Sequence, residues 1–247
     1  GLMAVGVSGR RFVNEADSYH DFVVAMHGDG GTPVMPAYLI CDHRFIRKYG
    51  LGLVRPVVSR IGAFVRDGYL ICARSIEELA KSAGIDPVAL RETVETYNAD
   101  ARNGVDNQFG RGSRVLNRHN GDPEHRPNPC MGPIEHPPYY ALPVTPCTIG
   151  TTIGLATDVD SRVLGDAGAP LQGLYACGND ISSVFRGFYP GPGATLGAAV
   201  VFAYRAARHL ASGDPAGGTV SGRTGDSPTL SPPTNHASRN TDDFQRI

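Results

Sequence analysis

The sequence predicts a fold that mixes α-helices with β-strands, and two regions carry this prediction. Near the middle of the chain, Ser75-Ile-Glu-Glu78 is a capping box, and Gly84 ends the helix that it starts. A longer helix then begins at Asp86-Pro87 and continues to about Gly104. In the second region, a short apolar strand at 174–177 leads through a polar turn and a glycine-rich loop into a helix.

The remaining elements follow from local apolar patterns and turn residues. We expect helices at 21–26 and 42–49, strands at 36–41, 69–73 and 139–144, and a hairpin within 157–168. No strand or helix is expected before Val7. The stretch 109–138 is rich in Gly, Pro, Asn and Arg and has no period, so we expect a long ordered loop.

Composition narrows the functional classes. The 247 residues are 41% hydrophobic with a net charge of −1, which disfavours binding to nucleic acid or to anionic lipid. No apolar run approaches the length of a membrane span. The five cysteines are irregularly spaced and indicate no disulfide framework, so we expect a cytoplasmic protein. His119, His125 and His136 match no zinc pattern, so we expect no metal.

The strand, turn and helix at 173–210 have the pattern of a ligand site. Gly178, Asn179 and Asp180 stand at the carboxyl end of a predicted buried strand, which is where open α/β sheets bind cofactors. The last helix begins near Gly193 or Ala194. Its free N–H groups face the glycine-rich loop and favour electron-rich ligand oxygens.

An ordered set of motifs resembles the fumarate reductase and succinate dehydrogenase flavoprotein superfamily over about residues 7–211. These motifs are Gly9-Arg-Arg-Phe-Val-Asn-Glu15, Gly110-Arg-Gly-Ser113, Pro127-Asn-Pro-Cys130, Tyr139-Tyr140, the turn from Gly150 to Gly154, Gly173-Leu-Tyr-Ala-Cys-Gly178 and Tyr189-Pro-Gly-Pro-Gly193. Within this superfamily the chain resembles the 3-ketosteroid dehydrogenase-type FAD enzymes, which implies an oxidoreductase of steroid or lipid metabolism.

The resemblance implies a division of the chain. Residues 1–147 resemble an α+β cap (substrate) domain, and 148–211 resemble the C-terminal segment of a Rossmann-like α/β FAD-binding domain. Residues 212–247, rich in Ser, Gly, Pro, Thr, Asp and Asn, are expected to be a disordered tail. The sequence contains no Gly-x-Gly-x-x-Gly turn for the FAD pyrophosphate, so we expect this chain alone to bind FAD weakly or not at all.

Three residues match the catalytic positions of the family. The resemblance implies that the Tyr189 hydroxyl and the Gly193 backbone N–H bind a substrate ketone, and that Tyr19 abstracts a neighbouring proton. A phenol has a pKa of about 10, so Tyr19 needs a neighbour that lowers it. The alternative is structural: Tyr189 and Gly193 merely shape a turn, and Tyr19 is a surface residue before a helix.

The resemblance also assigns the cofactor contacts. Gly178, Asn179 and Asp180 correspond to the strand end beside the ribityl chain of FAD. The backbone amides of Ala194, Thr195 and Leu196 correspond to donors to the isoalloxazine carbonyl edge.

The resemblance implies as partners a hydrophobic ketone, which in this family is a steroid, and an external electron acceptor. Fumarate chemistry is disfavoured, because Phe188-Tyr189 suits a ketone better than a dicarboxylate, and Arg186 reads as a surface residue. The rival hypothesis is a non-catalytic fragment, or a subunit that requires a separate FAD-binding chain.

Overall fold

The computed structural model describes residues 1–28, 31–57 and 60–213, and its first part is built on an antiparallel sheet. The four strands are β1 (Leu2–Gly6), β2 (Ala37–Asp42), β3 (Ile71–Ala73) and β4 (Tyr139–Val144), in the order β1-β2-β4-β3. The expectation of no element before Val7 is wrong. β1 pairs with β2 along its whole length, with Met3 opposite Ile40.

Seven helices are described. They are α1 (Tyr19–Met26), α2 (His43–Tyr49), α3 (Ile61–Arg66), α4 (Ile76–Ala83), α5 (Pro87–Asn103), α6 (Val115–His119) and α7 (Ala194–Ala211). Four begin at side chains that accept from backbone amides of the first turn, namely Ser18, Asp42, Ser75 and Asp86. The capping residues in the sequence therefore located α2, α4 and α5 to within about two residues.

The sheet separates two apolar clusters, because alternate side chains of each strand point to opposite faces. One cluster joins Met3, Val5 and Ile40 of the sheet to Leu79 of α4 and Leu90 of α5. The other is formed by Cys41, Ile46, Leu51, Val54, Ile61, Leu70, Tyr140 and Leu142, and it packs α2 and α3 on the opposite face. Burial of these side chains is what holds the helices to the sheet.

Four buried charged side chains tie the loops to this sheet. Arg11 lies between Glu15, at 2.7 Å, and Asp106, at 2.8 Å, with almost no exposure of any of the three side chains. Arg111 contacts Glu15 at 3.2 Å and donates to the carbonyl of Leu2 at 2.7 Å. Because each charge has an opposite partner, the cluster avoids the large cost of an isolated buried ion.

The stretch 109–138 contains a helix that the sequence did not predict. α6 begins after Arg114, whose side chain makes no capping hydrogen bond. The helix is held instead by tertiary contacts of Asn117, which is completely buried. A polar segment without a cap gives no local helix signal, so the prediction of a long loop is wrong at α6. The rest of 109–138 contains no helix or strand, as expected.

The second part contains a hairpin and the last helix. β5 (Arg162–Leu164) pairs antiparallel with β6 (Pro170–Tyr175), and residues 178–180 form a 3₁₀ turn. Of the predicted buried strand at 174–177, only Leu174 and Tyr175 lie in β6; Leu174 is exposed and residues 175–177 are half-buried, so the predicted burial is wrong. Side-chain hydrogen bonds join the hairpin to α7, including Tyr175 with His209 at 2.7 Å.

The structure tests two further expectations, the disordered tail and the lack of a membrane span, only over the residues that it describes. The tail at 212–247 lies outside the described residues except for Ser212 and Gly213, so its predicted disorder stays a prediction. Over the described ranges, none of the helices has both the length and the apolar character needed to cross a membrane.

Candidate functional site

Two tyrosines from distant parts of the sequence meet in the structure. Tyr19 is the first residue of α1, and Tyr189 lies in the glycine-rich loop before α7. Their ring centroids are 4.6 Å apart with an interplanar angle of 39°. Aromatic rings at this distance attract each other, so the contact joins the two parts of the chain at this point.

The position of Tyr19 is set by the residues just before it. The Ser18 hydroxyl accepts from the Asp21 amide at 3.1 Å and caps α1. The Asp17 carboxylate receives hydrogen bonds from Arg114, at 2.8 Å, and from Asn117, at 2.8 Å. Sequence reasoning missed Asn117, because a single Asn in a polar stretch gives no sign that it is buried.

The loop that carries Tyr189 depends on glycine. Gly191 and Gly193 have φ angles of 148° and 89°, which side chains other than glycine seldom adopt. The Ala194 amide donates to the Gly191 carbonyl at 3.2 Å, which closes the turn into α7. Leu116 of α6 lies beside this loop, with Cδ1 3.8 Å from the place where a Cβ on Gly191 would stand.

The first turn of α7 presents free backbone donors. Gly193 caps the helix with no side-chain hydrogen bond, and the amides of Gly193, Thr195 and Leu196 find no acceptor within the described ranges. Thr195 and Leu196 are exposed, and a Cβ on Gly193 would meet only open space. Such a helix start favours a ligand oxygen with partial negative charge.

Residues 178–180 lie against α7 and against the turn at 150–154. The Cβ that Gly178 lacks would stand 3.5 Å from Ala199 of α7. The Asp180 carbonyl accepts from the Leu155 amide at 2.8 Å, and a Cβ on Gly154 would come within 2.4 Å of the same oxygen. Gly154 is therefore required for this backbone contact, whereas the side chains of Asn179 and Asp180 remain exposed.

Electrostatics at the tyrosine pair do not activate Tyr19. Its interaction with the Tyr189 hydroxyl, followed by slight desolvation and by the Tyr189 charge, raises the pKa of Tyr19 above its ordinary value. Each of these causes disfavours the phenolate. The neighbour that would lower this pKa, which the sequence analysis required, is not among the groups that act on Tyr19 here.

Catalytic metal chemistry has no candidate site in the part of the chain that the structure covers. No three His, Cys, Asp or Glu side chains come together there in a way that could hold a metal ion. His43 instead bonds with the Tyr140 hydroxyl at 3.0 Å, and His125 with the Met131 carbonyl at 2.6 Å.

Known proteins resemble the chain over most of its length. It is 44% identical to 4-oxocyclohex-2-ene-1-carboxylate 5-dehydrogenase of Sinomonas cyclohexanicum over 85% of this chain and 36% of that protein. It is 40% identical to 3-oxosteroid 1-dehydrogenase of Mycobacterium tuberculosis over 85% of this chain and 38% of that protein. The chain thus spans well under half the length of these relatives.

A solved structure of a related dehydrogenase also resembles this chain. The crystal structure of 3-ketosteroid delta1-dehydrogenase from Sterolibacterium denitrificans, in complex with 1,4-androstadiene-3,17-dione, matches with a TM-score of 0.79 and 41% identity. The match covers 86% of this chain and 39% of that one. The family model described as "FAD binding domain" matches residues 1–196, and this protein is accordingly a member of that FAD-binding flavoprotein family.

Proposed function

We propose that this protein acts as an FAD-dependent dehydrogenase that removes hydride and a proton from neighbouring carbons beside the ketone of a hydrophobic cyclic substrate. The observation that carries the proposal is the contact between Tyr19 and Tyr189 next to the free amides that start α7. The relatives support it, because the names of both describe dehydrogenases of ring ketones.

The start of α7 fits the carbonyl edge of a flavin. The free amides of Thr195 and Leu196 are donors, the helix dipole favours negative charge there, and Gly193 leaves space for close approach. We assign Gly178, Asn179 and Asp180 to the ribityl side and the free amides of Thr195 and Leu196 to the ring. The Ala194 amide, which the resemblance also assigned to the ring, already donates to the Gly191 carbonyl at 3.2 Å, so this donor is dropped. When bound, FAD supplies the acceptor for the hydride.

The ketone oxygen takes two donors from the same loop. The Tyr189 hydroxyl and the free Gly193 amide both belong to the loop before α7, four residues apart in sequence. Donation from both sides withdraws electron density from the carbonyl and makes the adjacent C–H more acidic.

Tyr19 is the proposed base. As the phenolate it takes the proton from the carbon beside the carbonyl while the hydride leaves the next carbon, and the two C–H bonds become one C=C bond. Tyr189 raises the pKa of Tyr19. The proposal therefore needs either the substrate to separate the two hydroxyls or a further group to lower the pKa.

The test is turnover with an artificial dye acceptor by the chain supplied with FAD and with the N-terminal FAD-binding half of the Mycobacterium tuberculosis relative. We expect unsaturated product from a 3-oxosteroid or from 4-oxocyclohexanecarboxylate, and none from the corresponding alcohols or from succinate. Oxidation of the alcohols at a similar rate would contradict the role of the carbonyl. Oxidation of succinate in preference to the ketones would point to dicarboxylate chemistry instead.

One observation favours a second candidate function, that of a subunit which pairs with a separate FAD-binding half. None of the 18 residues of α7 is buried. Exposed apolar side chains cover this helix and the neighbouring hairpin, namely Leu171, Leu174, Leu196, Val200, Val201, Tyr204 and Leu210. Apolar surface this extensive marks an interaction site. Because the sequence contains no Gly-x-Gly-x-x-Gly turn for the FAD pyrophosphate, we infer that the partner is a chain that carries this turn.

Mixing experiments distinguish these candidates. We expect FAD to bind weakly to the 247-residue chain, and tightly once the N-terminal FAD-binding half of the Mycobacterium tuberculosis relative is added. Val200→Asp, on the exposed face of α7, should prevent this complementation, whereas Val88→Asp, exposed on α5, should not. Tight stoichiometric FAD binding by the chain alone would overturn the second candidate.

A further inference from the structure

We propose that Asn117 is a positioning residue that holds the loop before Tyr19 and so keeps Tyr19 against Tyr189. The inference rests on the proposed function, in which these two tyrosines act on one substrate. Asn117 itself does not contact either ring through any hydrogen bond of the structure, so its effect passes through residues 14–18.

The Asn117 side chain uses its full hydrogen-bonding capacity inside the protein. Its oxygen accepts from Asn14 Nδ2 and from the Gly112 amide, both at 3.1 Å. Its nitrogen donates to the Ala16 carbonyl at 2.9 Å and to Asp17 Oδ1 at 2.8 Å. An amide can make four such bonds, and here all four are made with no exposure to solvent.

Three of these bonds reach the segment that leads directly into α1. Asn14, Ala16 and Asp17 are followed at once by Ser18, the capping residue, and by Tyr19. A hydrogen bond from the Asp17 amide to the Asn14 carbonyl, at 3.1 Å, closes the turn to which Asn117 is bonded. The place of the Tyr19 ring therefore depends on where this turn is fixed.

The same short helix also touches the second tyrosine's loop. Leu116, the neighbour of Asn117 in α6, lies beside Gly191, two residues after Tyr189. α6 is anchored in turn by Cys130, whose thiol donates to the Asn117 carbonyl at 3.0 Å. The same helix thus bonds to the segment before Tyr19 and lies beside the loop that carries Tyr189.

The test replaces Asn117 by the nearly isosteric Asp in the full 247-residue chain. A carboxylate keeps the shape, but it cannot donate to Ala16 and it repels Asp17. The matched control is Asn98→Asp, because Asn98 is also buried and also bonds a backbone pair, the amide and carbonyl of Ile134. Both hydrogen bonds of the Asn98 side chain go to Ile134 and none to residues 14–19.

The readout is the ring-to-ring nuclear Overhauser cross-peak between Tyr19 and Tyr189, assigned with Tyr19→Phe. We expect this cross-peak in the wild type and in Asn98→Asp, and its loss in Asn117→Asp. A cross-peak that persists in Asn117→Asp would overturn the inference. If Asn117→Asp fails to fold, Asn117→Ser, which is too short to reach Ala16, replaces it with the same two outcomes.

Turnover of the chain supplied with FAD and with the complementing FAD-binding half gives a second, separable result. Misplacing the base should lower kcat about 100-fold with little change in KM for Asn117→Asp, but not for Asn98→Asp. An equal loss in both variants would mean a structural role only and would overturn positioning. If the wild type shows no dehydrogenation while the cross-peak is still lost, the proposed function fails and the control of the contact by Asn117 stands.

Discussion

The ring of Tyr19 lies 4.6 Å from the ring of Tyr189, although one residue starts the first helix and the other precedes the last. This contact brings a proposed base and a proposed carbonyl-binding hydroxyl to one place. Since neither residue is near the other in sequence, the fold alone creates the pair. Predictions about the Tyr19–Tyr189 pair are therefore the most specific tests of the proposed function.

The first prediction concerns the acidity of Tyr19. Tyr189→Phe keeps the aromatic ring and removes the hydroxyl that raises the pKa of Tyr19, so this pKa should fall towards about 10. Titration of ring-labelled tyrosine by NMR measures the change. Tyr38→Phe, which removes a hydroxyl from β2, is the control and should leave Tyr19 unchanged. No shift in Tyr189→Phe would mean that the two hydroxyls do not interact in solution.

The second prediction separates the conformational role of Gly193 from its role at the site. Gly193→Ala and Gly84→Ala both place a methyl group at a left-handed position, with φ angles of 89° and 69°, where each would meet open space. Each should therefore lower the free energy of unfolding by about 1 kcal/mol. Only Gly193→Ala should weaken ketone binding, because only there does the methyl crowd the donor amide. Equal binding by both variants would remove Gly193 from the site.

The third prediction concerns the buried charges. Asp106→Asn leaves Arg11 without one of its two carboxylate partners, so the free energy of unfolding should fall by about 3 kcal/mol. Arg10→Ala breaks the exposed pair with Glu92 and should cost less than about 1 kcal/mol. Urea unfolding compares the two. Similar losses would show that burial does not strengthen the Arg11 contacts.

The fourth prediction is the pH dependence of that cluster. Burial would raise the pKa of Asp106, but the hydrogen bond and charge of Arg11 outweigh it, and this pKa lies below its ordinary value. The unfolded chain then binds the proton more readily, so the contribution of Asp106 is present above about pH 4 and is lost as the pH falls further. The stability gap between wild type and Asp106→Asn should narrow on acidification. A constant gap from pH 6 to pH 3 would contradict this assignment.

Local signals in the sequence were enough for the elements that carry their own caps. Ser75 with Gly84, and Asp86 with Gly104, fix the ends of α4 and α5 through bonds within one turn. β1 had no such signal, because its place depends on pairing with β2, more than thirty residues later. The exposed state of β6 was likewise not readable, since an apolar strand looks the same with or without a covering layer.

In the candidate site, too, features with a local sequence signal could be predicted, and features that depend on distant residues could not. The helix start at Ala194 and the glycine-rich loop were predicted from residue types, and the structure contains both. Roles for Tyr19, Tyr189 and Gly193 came from resemblance to a family, and they stay predictions. Asn117 could not be found at all from the sequence, because its function depends on four partners that only the folded chain assembles.

The central claim is that Tyr189 holds the ketone whose neighbouring carbons are oxidised. The most direct measurement is the rate at which a 3-oxosteroid bleaches the flavin absorbance under anaerobic conditions, with the chain, FAD and the complementing FAD-binding half all present. Wild type and Tyr38→Phe should bleach at the same rate, and Tyr189→Phe should be at least about 100-fold slower. Bleaching by Tyr189→Phe at the wild-type rate would contradict the account.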